Sequence, residues 1–204
     1  VKVMTHTIDT LLNVPEGVLL VEYQATGHPE LTFSEILSGW RKKGITPLIV
    51  DIGDTLHIFL QNLKFEGIEL SVDDIPVIKE RGMVEVGKVL GYVEVIEDFD
   101  YHMATYSRLA KKVPKESRNH TIVVGMEKFS FTFIDDPSKL ERYFETVTRR
   151  YLSVEGRTSF LFLNTDVASE YLRKGLEQDS DYVLRVRGRE VRVLKSPGVM
   201  VNEL

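Results

Sequence analysis

The sequence predicts an α/β protein with a mostly parallel central sheet, flanked by helices and finished by a C-terminal antiparallel hairpin. Three observations carry this. Continuous apolar runs at Val18-Leu19-Leu20-Val21, Leu48-Ile49-Val50 and Phe160-Leu161-Phe162-Leu163 suit strands covered on both faces, as in a parallel sheet. Segments with apolar residues at helical spacing separate these runs, giving the strand–loop–helix–strand order of right-handed crossovers. The end of the chain differs: Tyr182–Val186 and Glu190–Leu194 alternate apolar and charged residues about Gly188, the pattern of a hairpin with one wet face.

Taken in order, Asp9 to Asn13 form a short helical turn ended by Pro15 and Gly17. The first strand follows, then a loop at 22–31 and a helix. Thr32 suits the N-cap with Glu35 three residues on, and Phe33, Ile36, Leu37 and Trp40 share one face. Arg41, Lys42 and Lys43 sit where the helix dipole favours cations, and Gly44 stops the helix. The second strand is Pro47–Asp51, and a helix follows Asp54. After an irregular stretch come a strand over Val89–Ile96, a helix over Phe99–Lys112, the strand His120–Val124 and a helix over Ser138–Leu152. The strand Thr158–Leu163 and a short helix over Val167–Leu176 lead into the hairpin. No repeat or linker interrupts the chain, so residues 1–204 read as one domain.

Composition narrows the function classes. Of the 204 residues 43% are hydrophobic and 28% charged, the balance of an ordinary globular protein. No apolar run approaches the ~20 residues of a membrane-spanning helix, and the start lacks the pattern of a secretory signal, so a cytoplasmic protein without a membrane partner is expected. The absence of cysteine removes disulfides, thiolate nucleophiles and Cys-based zinc sites, and with the many charges would suit a hyperthermophile. A formal charge of −5 disfavours general nucleic-acid affinity; the basic clusters at 41–43 and 185–192 read as a helix end and a solvated hairpin.

A helix opening directly after the first strand of such a sheet is a ready anion site, with free N–H groups and dipole facing the carboxyl edge. A phosphate loop there requires Gly-x-x-x-x-Gly-Lys-Ser/Thr. The residues present are Glu22, Tyr23, Gln24, Ala25, Thr26, Gly27, His28 and Pro29, and only Gly27 fits. Glu22 stands at the first glycine and brings negative charge. His28 replaces the lysine, shorter and mostly neutral. Pro29 replaces the magnesium-binding hydroxyl and offers no N–H.

The stretch IDTLLN-VPEGVLLVEYQATGHPELTFSEIL resembles the opening of KaiC- and RadA-like ATPases: a short helix, a glycine before the first strand, then strand, phosphate loop and helix, with Thr26-Gly27 at the family's Thr-Gly. The resemblance implies a RecA-like P-loop fold and continues along the chain. Gly53 and Asp54, after Asp51 of the second strand, fall where the family carries paired glutamates that activate water. Gly125, after Thr121-Ile122-Val123-Val124, falls at the magnesium-associated aspartate. Lys195-Ser196-Pro197 keeps the lysine of a terminal Lys-x-Arg pattern and loses its arginine. The chain is thus identified as a degenerate member of this superfamily, similar to a small family of uncharacterised Thermococcales (Pyrococcus and Thermococcus) archaeal proteins. With the phosphate-binding, magnesium-associated and water-activating residues departing from the family pattern, no enzyme activity and no cofactor are expected.

Other candidates read first as structure. His28 lacks a Ser or Asp partner at recognisable spacing, and His6, His57, His102 and His120 form no i, i+4 pair, so no metal site is expected. Glu94, Glu97, Asp98 and Asp100 could hold a cation, but Asp98 as a helix cap with acidic neighbours at the positive dipole end explains them. Met126 precedes Phe129, Phe131 and Phe133, whose i, i+2, i+4 spacing places them on one side of an extended segment, either as a strand on the core or as an exposed edge that receives a partner's strand.

The expectation is a non-catalytic RecA/KaiC-like protein that binds a protein or peptide, itself included as a homodimer or an active relative as adaptor. The old cleft, walled by 22–31, Asp51–Asp54 and Gly125–Phe129 with Glu127 between, would be the docking groove. The alternatives are a nucleic-acid-binding recombinase relative using Arg185, Arg187, Arg189 and Arg192, and an enzyme with atypical chemistry in the degenerate pocket.

Overall fold

A computed structural model describes residues 8–94, 98–129, 133, 135–152 and 154–197, leaving aside the side chains at 147, 150 and 151. Its centre is an eight-stranded sheet of order β4-β3-β2-β5-β6-β1-β7-β8. The strands are β1 (Gly17–Tyr23), β2 (Leu48–Ile52), β3 (Pro76–Glu80), β4 (Lys88–Val93), β5 (His120–Val124), β6 (Thr158–Asn164), β7 (Tyr182–Arg187) and β8 (Glu190–Lys195). All neighbouring pairs are parallel except β7–β8, an antiparallel hairpin. The mostly parallel α/β architecture read from the sequence is therefore the fold.

The helices divide by direction of travel. α1 (Pro29–Lys42) and α2 (Thr55–Phe65) carry the chain from β1 to β2 and from β2 to β3. They pack with the helical turn at 8–11 on one face, where Phe33, Ile36, Leu37, Trp40, Leu56 and Phe59 join Leu19, Val21, Phe160 and Phe162. The chain then reverses direction. α3 (Phe99–Ala110), α4 (Pro137–Tyr143), a π turn (Phe144–Thr148), α5 (Arg149–Leu152) and α6 (Glu170–Asp179) lie on the return path. Side chains of α3, α4, the π turn and α6 pack on the opposite face against Leu20, Val50, Leu161 and Leu163. Keeping every crossover right-handed demands this change of face. Each large apolar side chain so buried contributes about 1.5–3 kcal/mol.

Several elements differ from the sequence reading. β3 falls in the stretch expected to be irregular. Its Lys79 and Glu80 are buried, so its charges conceal a central strand. α1 begins at Pro29, with His28 as N-cap in the left-handed region, so Thr32 lies inside the helix and caps nothing. Pro29 at the first position loses no helical bond by lacking an N–H. α6 starts at Glu170, where the Ser169 side chain accepts from Leu172 N, rather than at Val167. β4 is described to Val93, and the expected extension through Ile96 runs into 95–97, outside the described residues. Asp98 does cap its helix, accepting from Tyr101 N at 2.9 Å; Glu97 lies outside the described residues.

The phenylalanine segment is neither an edge nor a strand where it is described. Met126–Lys128 form a 3-10 turn, and Met126, Phe129 and Phe133 are buried in the core. Phe129 and Phe133 lie 5.0 and 5.3 Å from the Tyr143 ring. Their apolar surface is consumed internally, which removes these three as an exposed docking edge. Phe131 lies outside the described residues.

Candidate functional site

The connection from β1 leaves toward one face of the sheet and that from β6, its neighbour, toward the other. A crevice opens at the carboxyl ends of strands that part in this way, the usual ligand position in open α/β sheets. Here it is a cavity of about 260 Å³ lined by Tyr23, Ala25, Thr26, His28, Pro29 and Glu30 from the β1–α1 segment. Thr55, Ile58, Phe59 and Asn62 of α2, Glu127 and Lys128 after β5, and Asn164 complete it. Two of its lining residues belong to a buried aromatic cluster beneath it: Tyr23 and Phe33 each meet Phe59 edge-on at 6.1 and 5.8 Å, and Phe59 meets Phe162 at 5.7 Å.

The loop that would cradle phosphate is fastened by the chain itself. Gly27 N donates to Gln24 O at 2.8 Å, closing a turn, and Gly188 N of the terminal hairpin donates to Gly27 O at 2.7 Å. Ala25 N donates to the Asp166 carboxylate at 2.8 Å. A loop amide that could have met an anion thus already holds one. Two more carboxyls, Glu30 and Glu127, are buried in the cleft. Burial raises the Glu127 pKa against the lowering effect of its hydrogen bonds, one of them from Asn164 N at 3.2 Å. Burial also raises the Tyr23 phenol, as does neighbouring Glu127.

His28 sits at φ 54, largely exposed, with Nδ1 2.8 Å from Glu30 Oε1 and 3.2 Å from Glu66 Oε1. The hydrogen bond to Glu30 raises its pKa. Sequence spacing missed this grouping because Glu66 arrives from the end of α2.

Glu22 is not in the loop. It is the sixth residue of β1 and wholly buried. It alternates with Tyr23, so its side chain lies on the sheet face away from α1, where Arg185 Nη2 reaches it at 3.1 Å and Arg173 Nε at 3.8 Å. Burial first, then its hydrogen bond to Glu177, pushes its pKa up to about 7. The expected negative charge at the phosphate position is therefore turned aside. Of the hairpin arginines, Arg185 is held by Glu22 and Arg189 by Glu35 at 3.1 Å; Arg187 and Arg192 are exposed. Lys195 Nζ donates to the carbonyls of Glu177, Gln178 and Ser180 at 2.6–3.1 Å, closing the C-terminal end of α6.

The carboxylates after β2 are also engaged. Asp51 accepts from Leu56 N at 3.0 Å and from buried Lys79 Nζ at 2.9 Å. Asp54, at φ 62, accepts from Lys79 Nζ at 2.6 Å and from the N–H groups of Met83 and Val84 at 2.9–3.0 Å. Burial works to raise the Asp54 pKa, but these donors outweigh it and hold the carboxyl at about 2. Lys128 Nζ donates to Gly53 O at 2.5 Å, and burial lowers its pKa. A Cβ on Gly125, at φ +90, would stand 2.3 Å from Ile52 O and 2.5 Å from Thr55 Oγ1. Thus Asp51, Gly53, Asp54 and Gly125 gather at the carboxyl edge as the sequence placed them, locked into the 81–84 loop and the β2–α2 junction.

Among the described residues, no helix is long and apolar enough to cross a membrane. No curated protein sequence matches the chain. Solved structures of similar fold include two from Pyrococcus horikoshii. One, a structural-study target from Pyrococcus horikoshii OT3, superimposes with TM-score 0.78 at 22% identity, covering 95% of this chain and 92% of that one. The other, an uncharacterised Pyrococcus horikoshii protein in complex with an unknown peptide, gives TM-score 0.53 at 15% identity over 90% of this chain and 85% of that one. A family model, described as Pyrococcus protein of unknown function, matches residues 11–203, and the chain belongs to that family, DUF257.

Proposed function

We propose that this chain keeps a RecA-type scaffold without its nucleotide chemistry and works by binding a peptide segment, from a partner protein or a second copy, at the carboxyl edge of the sheet. The observation that carries the reading is the 2.8 Å bond from Ala25 N to Asp166: the anion position of the loop is filled from within. Two buried carboxyls beside it, Glu30 and Glu127, would repel a polyphosphate. A cavity of about 260 Å³ falls below the ~300–1,000 Å³ of pockets that enclose small ligands, and suits one or two side chains of a peptide. Ile58, 48% exposed, lines the cleft, and Phe65, 87% exposed, stands two turns along the same face of α2, with Gln61 and Asn62 between them. The peptide bound to the similarly folded Pyrococcus horikoshii protein adds support for this class of ligand.

The test has two arms. Calorimetric titration with MgATP and MgADP should give no binding heat. Peptides selected from a random library on the immobilised chain should lose binding in Ile58→Arg and Phe65→Asp. Micromolar nucleotide affinity, or peptide binding indifferent to both substitutions, would overturn the reading. The nucleic-acid alternative is weakened by the engagement of Arg185 and Arg189 with Glu22 and Glu35.

A further inference from the structure

Three potential ligands from two helices meet at the mouth of the cleft. The donor atoms of His28, Glu30 and Glu66 lie within 4.8 Å of one another. His28 and Glu30 come from the start of α1, Glu66 from the C-cap of α2. Contact between His28 Nδ1 and two carboxylates leaves a deficit, because one ring nitrogen carries at most one proton to share between them. A second and independent observation is at Glu30. Its side chain is wholly buried, Oε1 belongs to the cluster, and Oε2 has no hydrogen-bond partner. An acceptor removed from water and left unmade costs about 1–3 kcal/mol, more when charged. The fold maintains a buried carboxylate with one oxygen held by His28 and the other without a partner, at the point where two other ligands converge.

We propose that His28, Glu30 and Glu66 form a binding site for a divalent transition-metal ion of the zinc, cobalt or manganese class. The ligand chemistry selects this class: imidazole nitrogen suits transition metals, whereas calcium and magnesium take oxygen sets. Charge agrees, since two carboxylates and a neutral imidazole balance one divalent cation. Spacing agrees as well, because ligands about 2.0–2.2 Å from zinc stand roughly 3–3.5 Å apart, close to the 2.8 and 3.2 Å separations around His28 Nδ1. An ion here would take up Oε2 of Glu30 and tie the start of α1 to the end of α2. His28 and Glu30 also line the cleft of the docking reading, but ion binding does not depend on that reading.

Chelator-treated protein titrated with Co²⁺ should develop a visible d–d absorption band saturating at one equivalent, displaced by Zn²⁺, with a rise in Tm. Glu66→Gln, at a partly exposed position, should weaken binding by about tenfold or more. His28→Gly should do the same while relaxing the left-handed backbone at that position, so that loss of binding is read on a folded chain. Glu85→Gln, whose carboxylate is bonded by the Tyr92 hydroxyl and is no member of the cluster, should leave the titration unchanged. No absorption band, a titration that neither His28→Gly nor Glu66→Gln alters, or preference for Mg²⁺ over Co²⁺ would overturn the proposal.

Discussion

The Asp166 carboxylate accepts the Ala25 amide hydrogen at 2.8 Å, so an amide of the β1–α1 loop is bonded to the chain's own acid. Removing that acid tests whether freeing the amide is enough to give the loop an anion site. Asp166→Ala should still give no heat with MgATP, because His28 and Pro29 remain in place of the lysine and hydroxyl, and Glu30 and Glu127 still crowd the cleft. The stability cost should be about 1 kcal/mol or less, as for one hydrogen bond at an exposed side chain. Calorimetry and urea denaturation read both effects.

Glu22 makes stability depend on pH, with a definite sign. Its carboxyl rises from an ordinary 4.5 to about 7 in the fold, so between those values the folded state binds more protons than the unfolded one. The contribution is complete below about pH 4.5 and is lost as pH rises through about 7. Thermal melts from pH 5 to pH 8 should show the wild type losing more stability than Glu22→Gln, by on the order of 2 kcal/mol. Equal slopes for the two proteins would show that Glu22 does not hold this proton.

Much of the fold was legible because its signals are local. Strands β1, β2, β5 and β6 are apolar on both faces, and such runs have few alternatives in a chain this long. β3 was illegible for an equally physical reason. A five-residue strand carrying Pro76, Lys79 and Glu80 looks like a loop until Asp51 and Asp54 are set beside Lys79, and that pairing is a property of the sheet. The aromatic segment misled in the opposite way. Alternating Phe129, Phe131 and Phe133 mimic a strand, whereas the chain at Phe129 is turning helically into the core. At the site, Gly27, Pro29 and Gly125 were readable against a motif. The joining of His28 and Glu30 to Glu66, and the turning of Glu22 to the far face, depend on which elements pack together and left no mark in spacing.

Lys79 is a cation held inside the sheet by two aspartates. It is wholly buried and bonded to Asp51 at 2.9 Å, Asp54 at 2.6 Å and Val84 O at 2.8 Å. Burial alone would lower its pKa, yet the two aspartates raise it on balance. Lys79→Ala leaves two carboxylates without their cation and should cost about 3–5 kcal/mol by denaturant unfolding, the range for breaking a buried pair. Asp54→Asn should cost less, since an amide oxygen can still accept from the Met83 and Val84 N–H groups. Equal losses would mean that the 81–84 loop, rather than the charge, carries the stabilisation.

On the proposed RecA-type reading Gly125 takes the place of a magnesium-associated aspartate, and its surroundings decide whether an aspartate fits there. Its φ of +90 is strained for any side chain, and a Cβ would stand 2.3 Å from Ile52 O and 2.5 Å from Thr55 Oγ1. Thr55 is itself fixed, donating from Oγ1 to Ile52 O at 2.7 Å, so neither neighbour can yield cheaply. Gly125→Ala should therefore destabilise by about 2–4 kcal/mol, combining the left-handed backbone with overpacking. Gly125→Asp should cost at least as much and bring no magnesium-dependent nucleotide binding. Urea unfolding of the two variants, with an MgATP titration of whichever folds, checks both expectations. A stable Gly125→Asp protein that binds MgATP would count against the proposed reading; the closed β2–α2 junction, with Ile52 O and Thr55 Oγ1 against the new side chain, argues for the opposite outcome.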